Sequence, residues 1–351
     1  MKTSFPFYNM KSSALSLCII MVCLFGIYPG NMAAPSNQDN ETKLAKGIEY
    51  YQSAQFDKAI AELQAVIDSG TADTGVLTRA YWYQASCYIG KNQTAEARGA
   101  VAKLLDLGVS CVEPDPEKEH PLLLRLYYEE TKARVGNSTV QCVDPGVQTM
   151  AIVDFQNRSY LVERDLFNPM EKGFADMMIN SLSGATKLKV VERDRLQWIL
   201  KEHEIQDKYS MESAVRVGKL LGAQVVLFGS FIVYDKNELW LSARLVKVET
   251  GEILLTEQIE EKFKKLSYKL TNELGKKIAE KIEGEQVYQA NESMPASMDA
   301  MLSYSQGLDY EDRDMFAEAM EKYSEALSYD KEYARAQMAI DRINPVLLAN
   351  R

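Results

Sequence analysis

The chain has 351 residues, 46% of them hydrophobic and 26% charged, with a formal net charge of -10. That length accommodates two or three domains, and the composition is that of a globular protein, neither disordered nor fibrous. The negative field repels phosphate backbones and excludes nucleic acid as a partner; the Lys-rich run 262–281 is interleaved with Glu273 and Glu280 and reads as a solvated helix face.

In chain order, Lys2 and Lys11 precede an uncharged apolar run of 15 residues, 14–28, followed by Pro29, Gly30, Ala33 and Ala34. A basic start, a short apolar stretch and small residues at its exit predict a secretory signal peptide over 1–34, cleaved near Ala34. An uncleaved anchor is the alternative, but a membrane-crossing helix needs about 20 apolar residues. A lipid attachment site wants a small residue before its cysteine, whereas Cys18 follows Leu17 and Cys23 follows Val22. Residues 35–42 are polar and aperiodic and predict a disordered lead-in.

Export implies an oxidising compartment, where disulfides persist. Cys111 and Cys142 flank a helical segment in turn-rich sequence and are the candidate disulfide; unpaired thiols are the alternative, because spacing does not reveal geometry. Cys87 lies in an apolar helical pattern and predicts a buried thiol.

From 43 to 135 the periodicity is helical. Gly47, Tyr50, Ala54, Phe56, Ala59, Leu63 and Val66 set a pattern of offsets that Ala85, Tyr88, Asn92, Thr94, Ala97, Val101 and Leu104 follow again. Gly307, Tyr310, Asp314, Phe316, Ala319, Tyr323 and Ala326 follow it a third time, within 297–345. These segments resemble tetratricopeptide repeats, in which small residues at the first and fifth places let antiparallel helices approach closely. A further helix over 121–134 caps the N-terminal stack. The C-terminal copy stands alone in sequence and cannot bury its face by itself, so it must dock on another part of the chain or on a second subunit.

Between the helical blocks, 147–284 predicts one α/β domain. Strand 149–155 is followed by a helix marked by Met170, Phe174 and Leu182, then by strand 188–192. Two helices come next, one capped by Asp194 and carrying Leu196 and Ile199, the other carrying Ala214 and Val217 and stopped by Gly222. Runs 223–234 and 239–248 make a hairpin, 252–260 a further strand, and Leu266, Leu270, Leu274, Ile278 and Ile282 an amphipathic closing helix. The order β-α-β-α-α-β-β-β-α predicts a mixed sheet. The fold class is α+β: an N-terminal helical-repeat solenoid, a central α/β domain and a C-terminal helical hairpin.

The stretch with Ala151-Ile-Val-Asp-Phe-Gln-Asn, Val190-Val-Glu-Arg-Asp-Arg-Leu, Val217-Gly-Lys-Leu-Leu-Gly-Ala, Gly229-Ser and Thr250-Gly-Glu-Ile resembles the CsgG family, named after the curli-secretion channel subunit. The resemblance implies a protein of the Gram-negative envelope, in the periplasm or against the outer membrane, that supports secretion or assembly of surface structures. Its implied partners are envelope or secretion-system proteins bound through the helical repeats, with homo-oligomers as a further expectation and only peripheral contact with the membrane. Channel subunits insert two long hairpins to build a barrel, and each membrane strand takes about 9–11 residues. Here 235–238 is too short and 262–281 is helical in period, so the pore function does not carry over. An oligomeric outer-membrane channel component is the alternative reading.

Site chemistry is sparse. Glu192 and Arg193, the family-like polar pair after a strand, are candidates for a subunit or ligand contact, or else an Arg–carboxylate pair tying the strand end to a neighbouring helix. Asp154, Asn157 and Arg158 end the first strand, where clefts often form. Tyr51, Trp82 and Tyr83 fall outside the repeat pattern and are candidates for an aromatic interaction groove. His120 and His203 lack zinc-ligand spacing, and no nucleophile stands beside a base. The expectation is therefore a protein with no cofactor, metal or catalytic residue, with a small-ligand sensor or enzyme using the α/β cleft as the remaining alternative.

Overall fold

The structure is a computed structural model, and it describes residues 37–108, 114–136, 148–160, 164–183, 189–205, 207, 209–235, 238–262, 269–283, 295 and 297–349. The expected signal peptide 1–34 and the candidate disulfide Cys111 and Cys142 lie outside the described residues.

Five N-terminal helices are α1 (Asn37–Gln52), α2 (Phe56–Ile67), α3 (Thr74–Gly90), α4 (Thr94–Asp106) and α5 (Pro121–Val135). Helix α1 starts at Asn37, inside the stretch expected to be a disordered lead-in. The polar residues there are held from outside the helix: Asn37 donates to Asp73 at 2.7 Å, and buried Asn40 donates to Thr71 at 3.0 Å. Composition alone could not show that the 69–73 turn supplies these partners.

Each repeat-like hairpin turns the same way. Ala54, Asn92 and Asp314 all adopt left-handed φ, at 54°, 57° and 61°. In each case the following amide reaches back to a tyrosine carbonyl: Gln55 to Tyr50 at 2.8 Å, Gln93 to Tyr88 at 2.8 Å and Met315 to Tyr310 at 3.0 Å. The fifth-place alanines Ala59, Ala97 and Ala319 are fully buried. A Cβ on Gly307 would come 2.3 Å from the Tyr323 ring, so only glycine admits that tyrosine.

The central sheet comprises β1 (Thr149–Ile152), β2 (Gln156–Asn157), β3 (Lys189–Val190), β4 (Val225–Asp235), β5 (Glu238–Lys247) and β6 (Ile253–Lys262). Its order is β3-β1-β4-β5-β6, with β2 also on β4; pairings among β1, β2, β3 and β4 are parallel, and β4-β5-β6 is an antiparallel meander. This is the mixed sheet the sequence predicts. Helix α6 (Met170–Leu182) connects β1 to β3, and α7 (Arg193–Glu202) and α8 (Met211–Leu221) lead from β3 to β4. Within 262–281, Lys262 ends β6 and the described residues from Lys269 on are helical, as a π-helical turn (Lys269–Leu274) running into α9 (Gly275–Glu283). Asp194 does not cap α7: that place belongs to Glu192, whose side chain makes no cap bond, and Asp194 sits in the first turn.

Strand alternation gives the sheet two buried faces. Leu227, Phe231, Leu241 and Leu245 pack with Phe174 and Met178 of α6 and Ile278 of α9. On the opposite face Val226, Phe228 and Val246 pack with Leu196 and Ile199 of α7, and this core runs on into Trp82, Leu123 and Tyr128 of the N-terminal helices. The C-terminal unit, α10 (Met298–Glu311), α11 (Phe316–Tyr329) and α12 (Ala334–Ala349), has a core of its own around Tyr304, Tyr323 and Tyr333. Met298 and Met301 of α10 enter the α6 side of the sheet core, so the lone C-terminal repeat docks within its own chain.

Candidate functional site

The carboxyl ends of β1 and β3 meet the other two segments at one junction. In parallel α/β sheets this end carries binding crevices, because the following helices diverge there. Asp154, just past β1, is fully buried, and Gln197 of α7 lies at 3.4 Å from both of its carboxylate oxygens. β3 ends in Val191 and Glu192, and Arg193 opens α7.

Arg193 reaches away from the sheet and pairs with Asp312 at 2.5 Å; its side chain is only 5% exposed. Asp312 also takes Lys172 of α6 at 2.8 Å. Lys172 holds Asp309 as well, at 2.6 Å. Arg125 of α5 grips Asp314 with both guanidinium nitrogens, at 2.7 and 3.1 Å. From α12, Arg335 pairs with Asp176 of α6 and with Glu117, each at 2.5 Å. Arg342 binds Glu311 and the Pro116 carbonyl. Tyr304 donates to Asp176 at 3.0 Å and Tyr323 to Glu311 at 3.0 Å. Bidentate and shared guanidinium contacts of this kind fix orientation as well as charge.

Burial sets the protonation of the junction. It is the first cause that pushes the Glu192 carboxyl up to about 7, with the nearby charge of Asp194 adding to it. Asp194 is raised for the same first reason, against the pull of Arg342. Burial also opposes the charge of Asp312, but Arg193 and Lys172 overcome it and hold that carboxyl below the usual carboxylate range. His120 is driven down to about 3 by burial and then by Arg342.

Two hollows flank these pairs. One of about 240 Å³ lies between α6, α7, α10 and α12, lined by Asp176, Glu192, Asp194, Arg335 and Arg342 among others. A larger one, about 430 Å³, opens between α5 and α7 beside Tyr128, Trp198, Gln197, Leu200 and Ile205, with Asp194 and Asp312 bordering it.

The sequence candidates divide. Arg193 forms the carboxylate pair expected as one of its readings, but its partner is the turn after α10, 119 residues away. Glu192 lines the smaller hollow. Tyr51 and Trp82 do not form a groove: they are 8% and 5% exposed. Tyr51 stacks edge-on against Tyr83 at 5.5 Å, and Trp82 packs on Tyr127 at 5.4 Å. Helix α3 is buried on both sides, by α1 and α2 on one and α4 and α5 on the other, so adjacent aromatic residues enter different cores. Asn157 is buried, donating to the Arg164 carbonyl and to Asn168, each at 2.9 Å. His120 accepts from the Leu122 amide at 3.3 Å as the cap of α5 and packs on Phe316, which leaves it placed for structure. The Cys87 thiol is fully buried and pushed up to about 12 by that burial, far from the thiolate a nucleophile needs. Among the described residues no cluster of His, Cys, Asp and Glu could hold a metal ion, and no helix is long and apolar enough to cross a membrane.

Residues 141–239 match the model of the family described as curli production assembly/transport component CsgG. That stretch is a CsgG-like domain. The match covers β1 to β4 and the first two residues of β5, and therefore every sheet residue at the junction. In structure the chain is similar to lipoprotein GNA1162 from Neisseria meningitidis, with 17% identity over 32% of this chain and 79% of that one, at a TM-score of 0.28. It is also similar to the LpoB C-terminal domain from Salmonella enterica, with 21% identity over 34% of this chain and 87% of that one, at a TM-score of 0.27. No curated protein matches the chain. Lys172, Asp309, Asp312 and Arg335 are functional-looking residues that sequence reasoning missed. Their only signal was the turn of acids at 309–314, which reads equally well as a solvated loop.

Proposed function

We propose that this protein is a non-catalytic, envelope-associated component that supports secretion or assembly of surface structures by holding other proteins together. The observation that carries the reading is the CsgG domain match over 141–239, set in a chain whose flanking helices bury against that domain. Two chain lengths argue for a soluble core and against a pore subunit. Asp235 and Glu238 are paired across the β4–β5 turn with two residues between them, and six separate Lys262 from the helical Lys269. A membrane-crossing hairpin needs about 9–11 residues in each strand, which neither connection holds. The placement of His120 and Cys87 supports a role without catalysis. The apolar start of the sequence and the family resemblance together support export to the periplasm.

Fractionation of the cell envelope with cross-linking in place tests compartment and partner together. The expected result is recovery in the periplasmic or outer-membrane fraction, cross-linked to other envelope proteins. Recovery in the cytosol, or as an uncross-linked monomer, would overturn the reading.

A second reading, a small-ligand sensor, is favoured by the hollow of about 430 Å³ between α5 and α7, which combines aromatic walls with charged groups. A ligand that raised the melting temperature in a metabolite panel, and lost that effect in Trp198→Ala, would support it.

A further inference from the structure

One cation from each of three helices converges on a single turn of the C-terminal unit. Arg125 of α5, Lys172 of α6 and Arg193 of α7 hold Asp314, Asp309 and Asp312. Arg125 belongs to the N-terminal helices, Lys172 and Arg193 to the CsgG-like domain, so the receiving surface is assembled by two parts of the chain and filled by a third. Lys172 and Arg193 are 15% and 5% exposed. Buried cations of this kind are costly unless paired. The Nε of Arg193 is buried and has no hydrogen-bond partner, so the turn leaves part of this guanidinium unused.

The surface lies at the carboxyl ends of β1 and β3, where an α/β domain presents its crevice. The turn that fills it belongs to a unit with its own tyrosine core, and the neighbouring contacts of α12 are again ionic, with a hollow of about 240 Å³ beneath. The start of α10 is fixed by Met298 and Met301 in the sheet core, whereas the 309–314 turn is held by ion pairs beside a partly empty hollow. A turn seated that way can open at lower cost than the whole fold while its helix stays anchored.

We propose that Arg125, Lys172 and Arg193 form a receptor for an acidic peptide segment of a partner protein, and that the 309–314 turn occupies it in cis as an autoinhibitory plug. The occupant is specified by the plug itself: carboxylates at relative positions 1, 4 and 6 of a segment that runs from the last turn of a helix into the turn after it. A tethered plug competes at an effective concentration on the order of millimolar, so the site is masked in the resting chain and opens to a partner that binds more tightly or at several points. This inference stands apart from the envelope reading, since the site is defined by contacts within the chain.

The test uses the full chain and a fluorescent peptide with the sequence of residues 307–316. Wild type should bind it weakly. The variant Asp309→Asn/Asp312→Asn/Asp314→Asn, which frees the cations without touching them, should bind it roughly tenfold or more tightly. Adding Arg125→Gln and Lys172→Gln should abolish the gain, and a peptide of the same composition in scrambled order should not bind. No gain in the folded plug variant, equal binding of the scrambled peptide, or binding that survives loss of Arg125 and Lys172 would overturn the proposal. So would inorganic phosphate matching the peptide, which would mark a bare anion site, or dimerisation of the plug variant with wild type in place of peptide binding, which would assign the site to a second copy. If the plug variant does not fold, hydrogen exchange on wild type decides. The peptide should speed exchange in 298–316, while the scrambled peptide at equal ionic strength leaves it unchanged; no difference between the two overturns the idea.

Discussion

Gly173 of α6 and Ser305 of α10 lie so close that a Cβ on the glycine would come 2.0 Å from the Ser305 Oγ and 3.2 Å from the Met301 Cε. This close approach, together with Met298 and Met301 in the sheet core, seats the C-terminal unit on the CsgG-like domain beside the ion pairs. Gly173→Leu should therefore destabilise the protein by about 1–3 kcal/mol through overpacking. Urea unfolding checks this, and the loss should be accompanied by faster amide exchange in α10. A variant as stable as wild type would mean that α10 is not fixed at this point.

Arg335 spans the same seat from the other side. Asp176 is only 6% exposed, and without Arg335 it keeps the Tyr304 hydroxyl as its described side-chain donor. Removing one partner of a buried pair costs about 3–5 kcal/mol, because the charge left behind is uncompensated. Arg335→Met should fall in that range, and Arg335→Met/Asp176→Asn should be clearly less damaging than the sum of the two single changes. A double-mutant cycle by denaturant melts measures the coupling; additive effects would show that the pair contributes nothing specific.

The acidity of the junction gives a pH prediction with a definite sign. Burial raises Glu192 to about 7, with Asp194 and Glu117 reinforcing it and Lys189 and Arg335 opposing. A carboxyl raised above its unfolded value binds its proton more readily in the fold. It therefore stabilises below about 4.5, and that contribution is lost as pH rises through about 7. Glu119, raised to about 7 by burial and then Asp115, acts in the same direction. His120, driven down to about 3, acts oppositely, since its stability is present above its unfolded value near 6.5 and lost on acidification. Glu192→Gln should match wild type near pH 4 and exceed it near pH 8, by up to about 3 kcal/mol. Equal stability of the two proteins at both values would remove Glu192 from the account.

The order of helices and strands was legible because each carries a local signal: helical spacing of Met170, Phe174 and Leu182 for α6, and β-rich runs joined by a short hairpin turn for β4 and β5. The seat of the C-terminal unit was not. It rests on pairs such as Arg193 with Asp312 and Arg335 with Asp176, separated by 119 and 159 residues, and charged residues at that distance carry no local pattern. The same limit explains the aromatic candidates. Trp82 falls outside the repeat pattern because it faces α5 and the CsgG-like domain, which a repeat-by-repeat reading does not include.

Trp82 thus becomes a stability residue. It is 5% exposed and shares a core with Tyr127, Leu196 and Val226. Trp82→Ala should cost about 3–5 kcal/mol by opening a cavity where the N-terminal helices meet the sheet domain. Thermal melts check the magnitude. A variant that kept its stability and lost only partner binding would restore the groove that the buried geometry denies.

The three repeat-like hairpins place a left-handed residue at the same point, and only one of them pays a steric penalty for it. Asn92 and Asp314 belong to the side chains that tolerate this region, whereas Ala54, at φ 54°, does not. A β-carbon there crowds the following carbonyl, and glycine relieves the clash at the cost of a more flexible unfolded chain. Ala54→Gly is therefore expected to raise stability by about 0.5–1 kcal/mol. The control is Ala59→Gly, five residues on and fully buried within α2, which should lower it by about 1 kcal/mol or more. Both are read by denaturant melts. If the two glycines destabilise alike, the left-handed turn at Ala54 carries no penalty for glycine to relieve, and the conformation shared with Asn92 and Asp314 is not what closes the first hairpin.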